Sequence, residues 1–172
     1  MYHLNPAARH QGRQPYRAED YADLSAFSSR HPELGPTPLR PLPCFARALG
    51  IGGLFVKDES SRFGLNAFKS LGVRYAMDRL QREHRLPDAA TLACASAGNH
   101  GRAVARVARQ RGLAATVLVP KGTARARIDA IEGEGARVEV VNGSYDDAVR
   151  LSAQLAGERR LVLSDTSWPG YE

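Results

Sequence analysis

From residue 66 onward the apolar positions recur in a regular way. Phe68, Leu71, Gly72, Tyr75, Ala76 and Leu80 fall three and four apart, which draws one apolar face along a helix. Asn66 is the expected N-cap of that helix, and Pro87 lies beyond its end. Short apolar runs and helical stretches then alternate. Thr91–Ala95 reads as a strand, Asn99–Gln110 as a helix closed by Gly112, and 115–119 as a strand. A helix over 124–132 ends before Gly133, followed by a strand over Arg137–Val141, a helix over 145–155 and a last strand over 161–164. Four short strands separated by helices imply parallel strands joined by right-handed crossovers, with helices on both faces of the sheet. The predicted fold class is therefore α/β, a three-layer αβα arrangement around a parallel sheet, compact over residues 76–165.

The pattern is weaker upstream. Residues 1–35 are polar, punctuated by proline and weakly periodic, and are expected to wrap a surface rather than build a core. Pro36-Thr37-Pro38-Leu39 is a rigid extended stretch, because each proline biases its predecessor away from helix. A short helix is expected over 44–49, stopped by Gly50, and a compact apolar strand over 54–57.

Composition narrows the class. A chain of 172 residues is long enough for one ordinary domain with a real core. Its 43% hydrophobic and 24% charged residues are globular values. No apolar run approaches the roughly 20 residues of a membrane span. The polar N-terminus holds no hydrophobic signal core, so a cytoplasmic protein without membrane contact is expected. Cys44 and Cys94 are far apart, lack metal-ligand spacing and are expected to be reduced and half-buried. The net charge of +6 raises the question of nucleic acid. The arginines, however, are spread from Arg9 to Arg160, and the 7% aromatic residues are not interleaved with them, so nucleic-acid binding is not expected.

Ligands of open parallel sheets gather at the carboxyl ends of the strands. Ser96-Ala97-Gly98-Asn99-His100-Gly101 lies at such an end, just before a helix. Its glycines admit a ligand close to the backbone, and the helix N-terminus offers free N–H groups, a cradle for a carboxylate or phosphate. Ser96 and Asn99 add side-chain donors, or simply cap the helix. Lys69 is one of only three lysines against 21 arginines. A lysine near a helix start is usually exposed and inert. Here the positive end of the helix would oppose protonation, and Phe68 and Leu71 can exclude water. Lys57, beside Asp58 and Glu59, suggests an ion pair, and Lys121 sits in a polar turn. Asp165 either faces the pocket or caps a turn with Thr166 and Ser167. His100 either titrates near neutral pH or packs and caps. No nucleophile elbow, P-loop, His-Glu-x-x-His helix or metal-ligand pattern is present.

Four ordered blocks carry a resemblance. They are Val56-Lys57-Asp58-Glu59-Ser60, Arg62-Phe63-Gly64-Leu65-Asn66-Ala67-Phe68-Lys69, Gly98-Asn99-His100-Gly101-Arg102, and Asp165-Thr166-Ser167-Trp168 followed by Gly170-Tyr171. In these the chain, from about residue 36 onward, resembles the fold-type-II pyridoxal-phosphate enzymes, the tryptophan synthase β-like group that includes threonine dehydratase. Within that group it is most similar to the diaminopropionate ammonia-lyases. The resemblance implies pyridoxal 5'-phosphate held covalently by Lys69 beside Phe68, with Asn99 contacting the cofactor's phenolic oxygen. It implies a small amino-acid substrate whose carboxylate is received by Ser96, Gly98, Asn99 and His100. Lys69 would act as base and Asp165 would bind the substrate amine, in an elimination that converts 2,3-diaminopropionate to pyruvate and ammonia.

The resemblance also implies an organisation. Residues 1–75 would belong to a larger domain carrying the cofactor lysine, 76–165 would form a smaller αβα domain, and 166–172 would return to the larger one. The sequence would be the N-terminal half of a homodimeric enzyme, inactive alone, because the family's phosphate-binding glycine loop lies in the second half. Two local departures stand out. Ala97 replaces an aspartate that the lyases usually carry and that is implicated in handling the D-substrate; the loop there looks like that of serine/threonine dehydratases. Those dehydratases, however, usually have Ser-Phe-Lys where this chain has Ala67-Phe68-Lys69. A dehydratase-like enzyme and a non-catalytic interaction module are the alternative readings.

Overall fold

In the computed structural model, which describes residues 18–165 and side chains from Tyr21, helix and strand alternate as the periodicity predicts. The elements begin with α1 (Ala18–Arg30), β1 (Leu39–Pro41), α2 (Pro43–Leu49), β2 (Phe55–Lys57) and α3 (Lys69–Arg82). They continue with β3 (Thr91–Ala95), α4 (Asn99–Gln110), β4 (Ala114–Pro120), α5 (Arg125–Glu132), β5 (Arg137–Val141), α6 (Tyr145–Gln154) and β6 (Arg160–Val162). Two compact units divide between Gly35 and Pro36.

In the first unit part of the stretch expected to wrap a surface forms the helix α1, which the sequence reading did not assign. Tyr21, Leu24 and Phe27 are spaced for one face, but only Phe27 is buried, its ring 4.7 Å from that of His31. Interleaved serines and alanines dilute that stripe, which is why periodicity alone missed it. Residues 1–17 and the block after Asp165 lie outside the described residues.

In the second unit four strands pair in the order β5–β4–β3–β6, every pair parallel. β3 is buried at four of its five positions, as a central strand covered on both faces must be. Leu92, Cys94, Val117 and Val119 join Val104 and Met77 in the main core, which places α4 and α3 over one face. Ala95 and Leu118 pack with Ala148 of α6 over the other. The three layers are thus present.

Gly101 lets α4 seat closely. A Cβ there would lie 2.7 Å from the Ser96 carbonyl oxygen and 3.0 Å from Val117 Cγ1. α6 opens with a capping box, Ser144 accepting from the Asp147 N–H while Asp147 accepts from the Ser144 N–H.

β1 and β2 form a separate antiparallel pair, Leu39 opposite Lys57, exposed along its length. The expected apolar strand is therefore present but not buried. Pro41 ends β1, where proline costs the small ladder least. Both cysteines depart from the expected half-burial: Cys44 is exposed and Cys94 fully buried. Burial pushes the Cys94 thiol pKa up, and the Asp165 charge adds to it.

The strand order places the site. From β3 the chain steps to β4 and then β5, and afterwards crosses back to lay β6 on the other side of β3. The direction of winding reverses between β3 and β6, and at such a switch the loops leaving the two strands part to form a crevice. The loops concerned are 96–101 and 163–165.

Candidate active site

α3 begins at Lys69 itself, with Phe68 as a cap that makes no side-chain bond. Asn66, the expected cap, instead adopts φ 57°, a left-handed turn that asparagine tolerates better than most residues. Phe63 (φ 51°) and Gly64 (φ 66°) turn the same way, so the loop delivers Lys69 through a tight reversal. Leu65 and Ala67 anchor it in the interior while Phe68 stays exposed. The Phe68 ring centroid lies 5.7 Å from Lys69 Nζ, so the ring borders the amine without sealing it from water.

Lys69 Nζ donates to Asp165 Oδ2 at 2.9 Å. The two side chains are 35% and 23% exposed, an ion pair at the mouth of a pocket rather than in a core. Burial pushes the Asp165 carboxyl up. The Lys69 hydrogen bond and the neighbouring His100 and Lys69 charges outweigh this and hold it below its ordinary value. Asp165 therefore faces the pocket, while Thr166 and Ser167, its partners in the alternative turn-capping role, lie outside the described residues. Tyr145, at the start of α6, feels the same carboxylate: burial first, then the Asp165 charge, raises its pKa.

His100 is buried in the first turn of α4 and bonds through Nε2 to the Leu163 carbonyl at 2.8 Å. An imidazole facing a carbonyl must donate, so His100 tethers the start of α4 to the residue after β6. The pocket holds about 300 Å³, the lower end of small-molecule sites, and is walled by Phe68, Lys69, Gly72, His100, Ser164 and Asp165.

The structure thus brings Lys69, Phe68, His100 and Asp165 to one pocket. Gly98 and Asn99 line a second, of about 420 Å³, together with Ala97, Arg102 and Arg127. Asn99 is exposed, Gly98 caps α4 without a side-chain bond, and Ser96 is buried with its hydroxyl accepting from the Gly98 N–H at 3.3 Å. Among the other lysines, Lys57 donates to the Thr37 carbonyl at 2.6 Å, whereas Asp58 pairs with Arg40 and Glu59 with Arg62. In place of the expected Lys57 ion pair, Arg40 bonds Asp58 through Nε and Arg62 forks onto Glu59, whose carboxylate still feels the Lys57 charge.

Sequence reasoning passed over the arginines that hold the lysine loop. Arg102, Arg106 and Arg109 recur at four and three along α4, a helical stripe legible in hindsight. Arg106 donates to the Phe63 carbonyl at 2.9 Å and Arg102 to that of Leu65 at 3.4 Å. The Ser70 hydroxyl beside Lys69 is buried with no hydrogen-bond partner among the described residues, a polar group left for water or a ligand to satisfy. A partly exposed primary amine, a carboxylate within its reach and mixed polar and apolar walls fit the aldehyde end of a pyridoxal cofactor.

Comparison with known proteins agrees with that fit. The family model described as pyridoxal-phosphate dependent enzyme matches residues 31–169. Diaminopropionate ammonia-lyase of Salmonella typhimurium is 40% identical over 170 residues, covering 87% of this chain and 42% of that protein. The crystal structure of the Escherichia coli diaminopropionate ammonia-lyase with an aminoacrylate-PLP azomethine reaction intermediate superposes with a TM-score of 0.79 at 39% identity. That match covers 92% of this chain and 44% of that one. A biosynthetic L-threonine dehydratase of Haemophilus influenzae is 31% identical over 127 residues, 74% of this chain and 24% of that protein. The chain spans less than half the length of these relatives.

Proposed function

Because the chain belongs to the pyridoxal-phosphate dependent enzymes, we propose that it forms the lysine-bearing part of an ammonia-lyase acting on 2,3-diaminopropionate. The reaction would be an α,β-elimination giving pyruvate, with both nitrogens released as ammonia. The observation that carries the reading is the 2.9 Å contact between Lys69 Nζ and Asp165 Oδ2, made across the switch point of the parallel sheet. Relatives named for that activity, similar over most of this chain, support it.

Lys69 would hold the cofactor through Nζ, and the same amine, at the pocket beside Asp165, would serve as the base for the substrate's α-proton. The bound cofactor supplies the electron sink that lets this proton leave. Asp165 orients the amine before the cofactor arrives and receives the substrate's β-ammonium afterwards, a charge match for its carboxylate. His100 holds Asp165 in place by donating to the Leu163 carbonyl two residues upstream. The N–H groups at the start of α4, with Ser96, Gly98, Asn99 and His100, receive the substrate carboxylate.

This reading assigns residues 1–75 to the cofactor-lysine domain, 76–165 to the smaller domain and 166–172 to the return, in a cytoplasmic homodimer. Among the described residues no helix is long and apolar enough to cross a membrane. Ala97 favours keeping a second reading, a serine or threonine dehydratase, since it stands in the asparagine loop where the resemblance to the lyases leads one to expect an aspartate.

The full-length protein decides between them. Supplied with pyridoxal phosphate, it should form pyruvate from 2,3-diaminopropionate faster than from serine, and faster than 2-oxobutyrate from threonine. Lys69→Ala should abolish all three. Preference for threonine or serine would establish the dehydratase, and full turnover in Lys69→Ala would remove the lysine from the chemistry.

A further inference from the structure

We infer that Glu134 is a positioning residue for the lysine loop: by clamping Arg106 and Arg102 it fixes the carbonyls of Phe63 and Leu65, and through them the place from which Lys69 enters the pocket. The loop needs an external hold. Phe63 sits at positive φ, a conformation costly for an aromatic side chain unless its surroundings hold it, and Asn66 turns the same way.

The hold comes from α4. Its one polar stripe, Arg102, Arg106 and Arg109, stands on a helix otherwise buried through Ala103, Val104 and Val107. Three guanidiniums on one stripe repel one another unless a carboxylate intervenes. Glu134, 6% exposed in the turn after α5, is that carboxylate. Arg106 grips it with both arms of its fork, Nε to Oε2 at 2.5 Å and Nη2 to Oε1 at 2.7 Å. Arg102 and Arg109 approach it at 3.5 and 3.3 Å. Hydrogen bonding from Arg106 holds the Glu134 carboxyl below its ordinary pKa despite its burial.

What the arginines do with their remaining N–H groups separates them. Arg106 and Arg102 reach the lysine loop, whereas Arg109 turns to the Gly133 carbonyl at 3.2 Å. A guanidinium anchored by a buried carboxylate donates from a fixed point; an unanchored one rotates towards water. Glu134 thereby acts on the loop through Arg106 and Arg102 and touches neither cofactor nor substrate. The restraint on the loop stands on geometry alone, while its consequence for cofactor attachment rests on the reading of Lys69 given above.

The test uses the full-length protein carrying Glu134→Gln, Arg106→Lys or Arg109→Met. Amide hydrogen exchange followed by mass spectrometry reports on residues 62–66 against strands β3 and β4. In parallel, pyridoxal phosphate fixed by borohydride is mapped on Lys57, Lys69 and Lys121, a readout that needs no turnover. Glu134→Gln and Arg106→Lys should each speed exchange in the loop about tenfold, with both strands unchanged. They should also lower the ratio of Lys69 to Lys121 adduct, and Arg109→Met should alter neither measure. Arg106→Lys keeps the positive charge and carries the test alone should Glu134→Gln not fold. Unchanged loop exchange in Arg106→Lys, or strand exchange rising in step with the loop, would overturn the inference. So would an Arg109→Met variant indistinguishable from the other two. Wild-type protein fixing pyridoxal preferentially on Lys57 or Lys121 would instead sink the Lys69 reading, with the exchange arms still deciding the clamp.

Discussion

His100 Nε2 bonds the Leu163 main-chain carbonyl at 2.8 Å, tying the first turn of α4 to the end of β6 across the crevice. Both residues are buried, so the carbonyl has no water to turn to if the ring is removed. His100→Ala should destabilise the fold by about 1–3 kcal/mol, the cost of a stranded buried acceptor. It should also release Asp165 from Lys69. Urea unfolding measures the first effect; exchange of the 163–165 amides measures the second. Loss of stability without loosening at 163–165 would show that the tether does not govern the carboxylate.

Asp165→Asn keeps the shape of the side chain and removes its charge. A residue that receives the β-ammonium of 2,3-diaminopropionate should matter less for serine, whose β-substituent is a neutral hydroxyl. The variant of the full-length protein should raise KM for diaminopropionate about tenfold or more while changing KM for serine little, as loss of a substrate-selective charge contact predicts. Equal effects on both substrates would remove Asp165 from amine recognition.

Gly101→Ala tests the close seating of α4. The added methyl would meet the Ser96 carbonyl at 2.7 Å, and a main-chain oxygen cannot swing aside as a side chain can. Overpacking of this kind costs about 1–3 kcal/mol. The strain should also push the start of α4 from β3, so exchange at 96–101 should rise with the fall in urea midpoint. A variant as stable as wild type would mean that helix and strand slide apart freely.

How legible the molecule was in its sequence follows from where each signal is local. β3 and α4 are found at their predicted bounds because their burial, continuous in one and periodic in the other, is written into neighbouring residues. α1 was missed because it buries little beyond Phe27, and β1 because it is three exposed residues ending in proline. Asn66 reads as a cap by residue type; in the structure it takes a left-handed φ in a loop whose Phe63 and Leu65 carbonyls bond to arginines of α4, a helix that begins more than thirty residues later. Lys69 and Asp165 were each visible as candidates, but their contact spans 96 residues and exists only because β6 returns beside β3.

Glu59 gives the lysine loop a pH dependence with a definite sign. Hydrogen bonding from Arg62, aided by the Thr37 hydroxyl and opposed by burial, lowers its pKa from 4.5 to about 2. Arg62 makes two of those bonds, at 2.6 and 3.0 Å, and is itself only 7% exposed at the loop's entrance. A carboxyl whose folded pKa is depressed contributes stability that is fully present above its unfolded value, here 4.5. That contribution is lost as pH falls through about 2. Wild type should therefore lose stability on acidification across this window more steeply than Glu59→Gln, and the two curves should converge at its acid end. Urea midpoints taken across the window measure the difference. Parallel curves would mean that the Glu59 charge contributes nothing to holding Arg62, and that the loop is anchored from α4 alone.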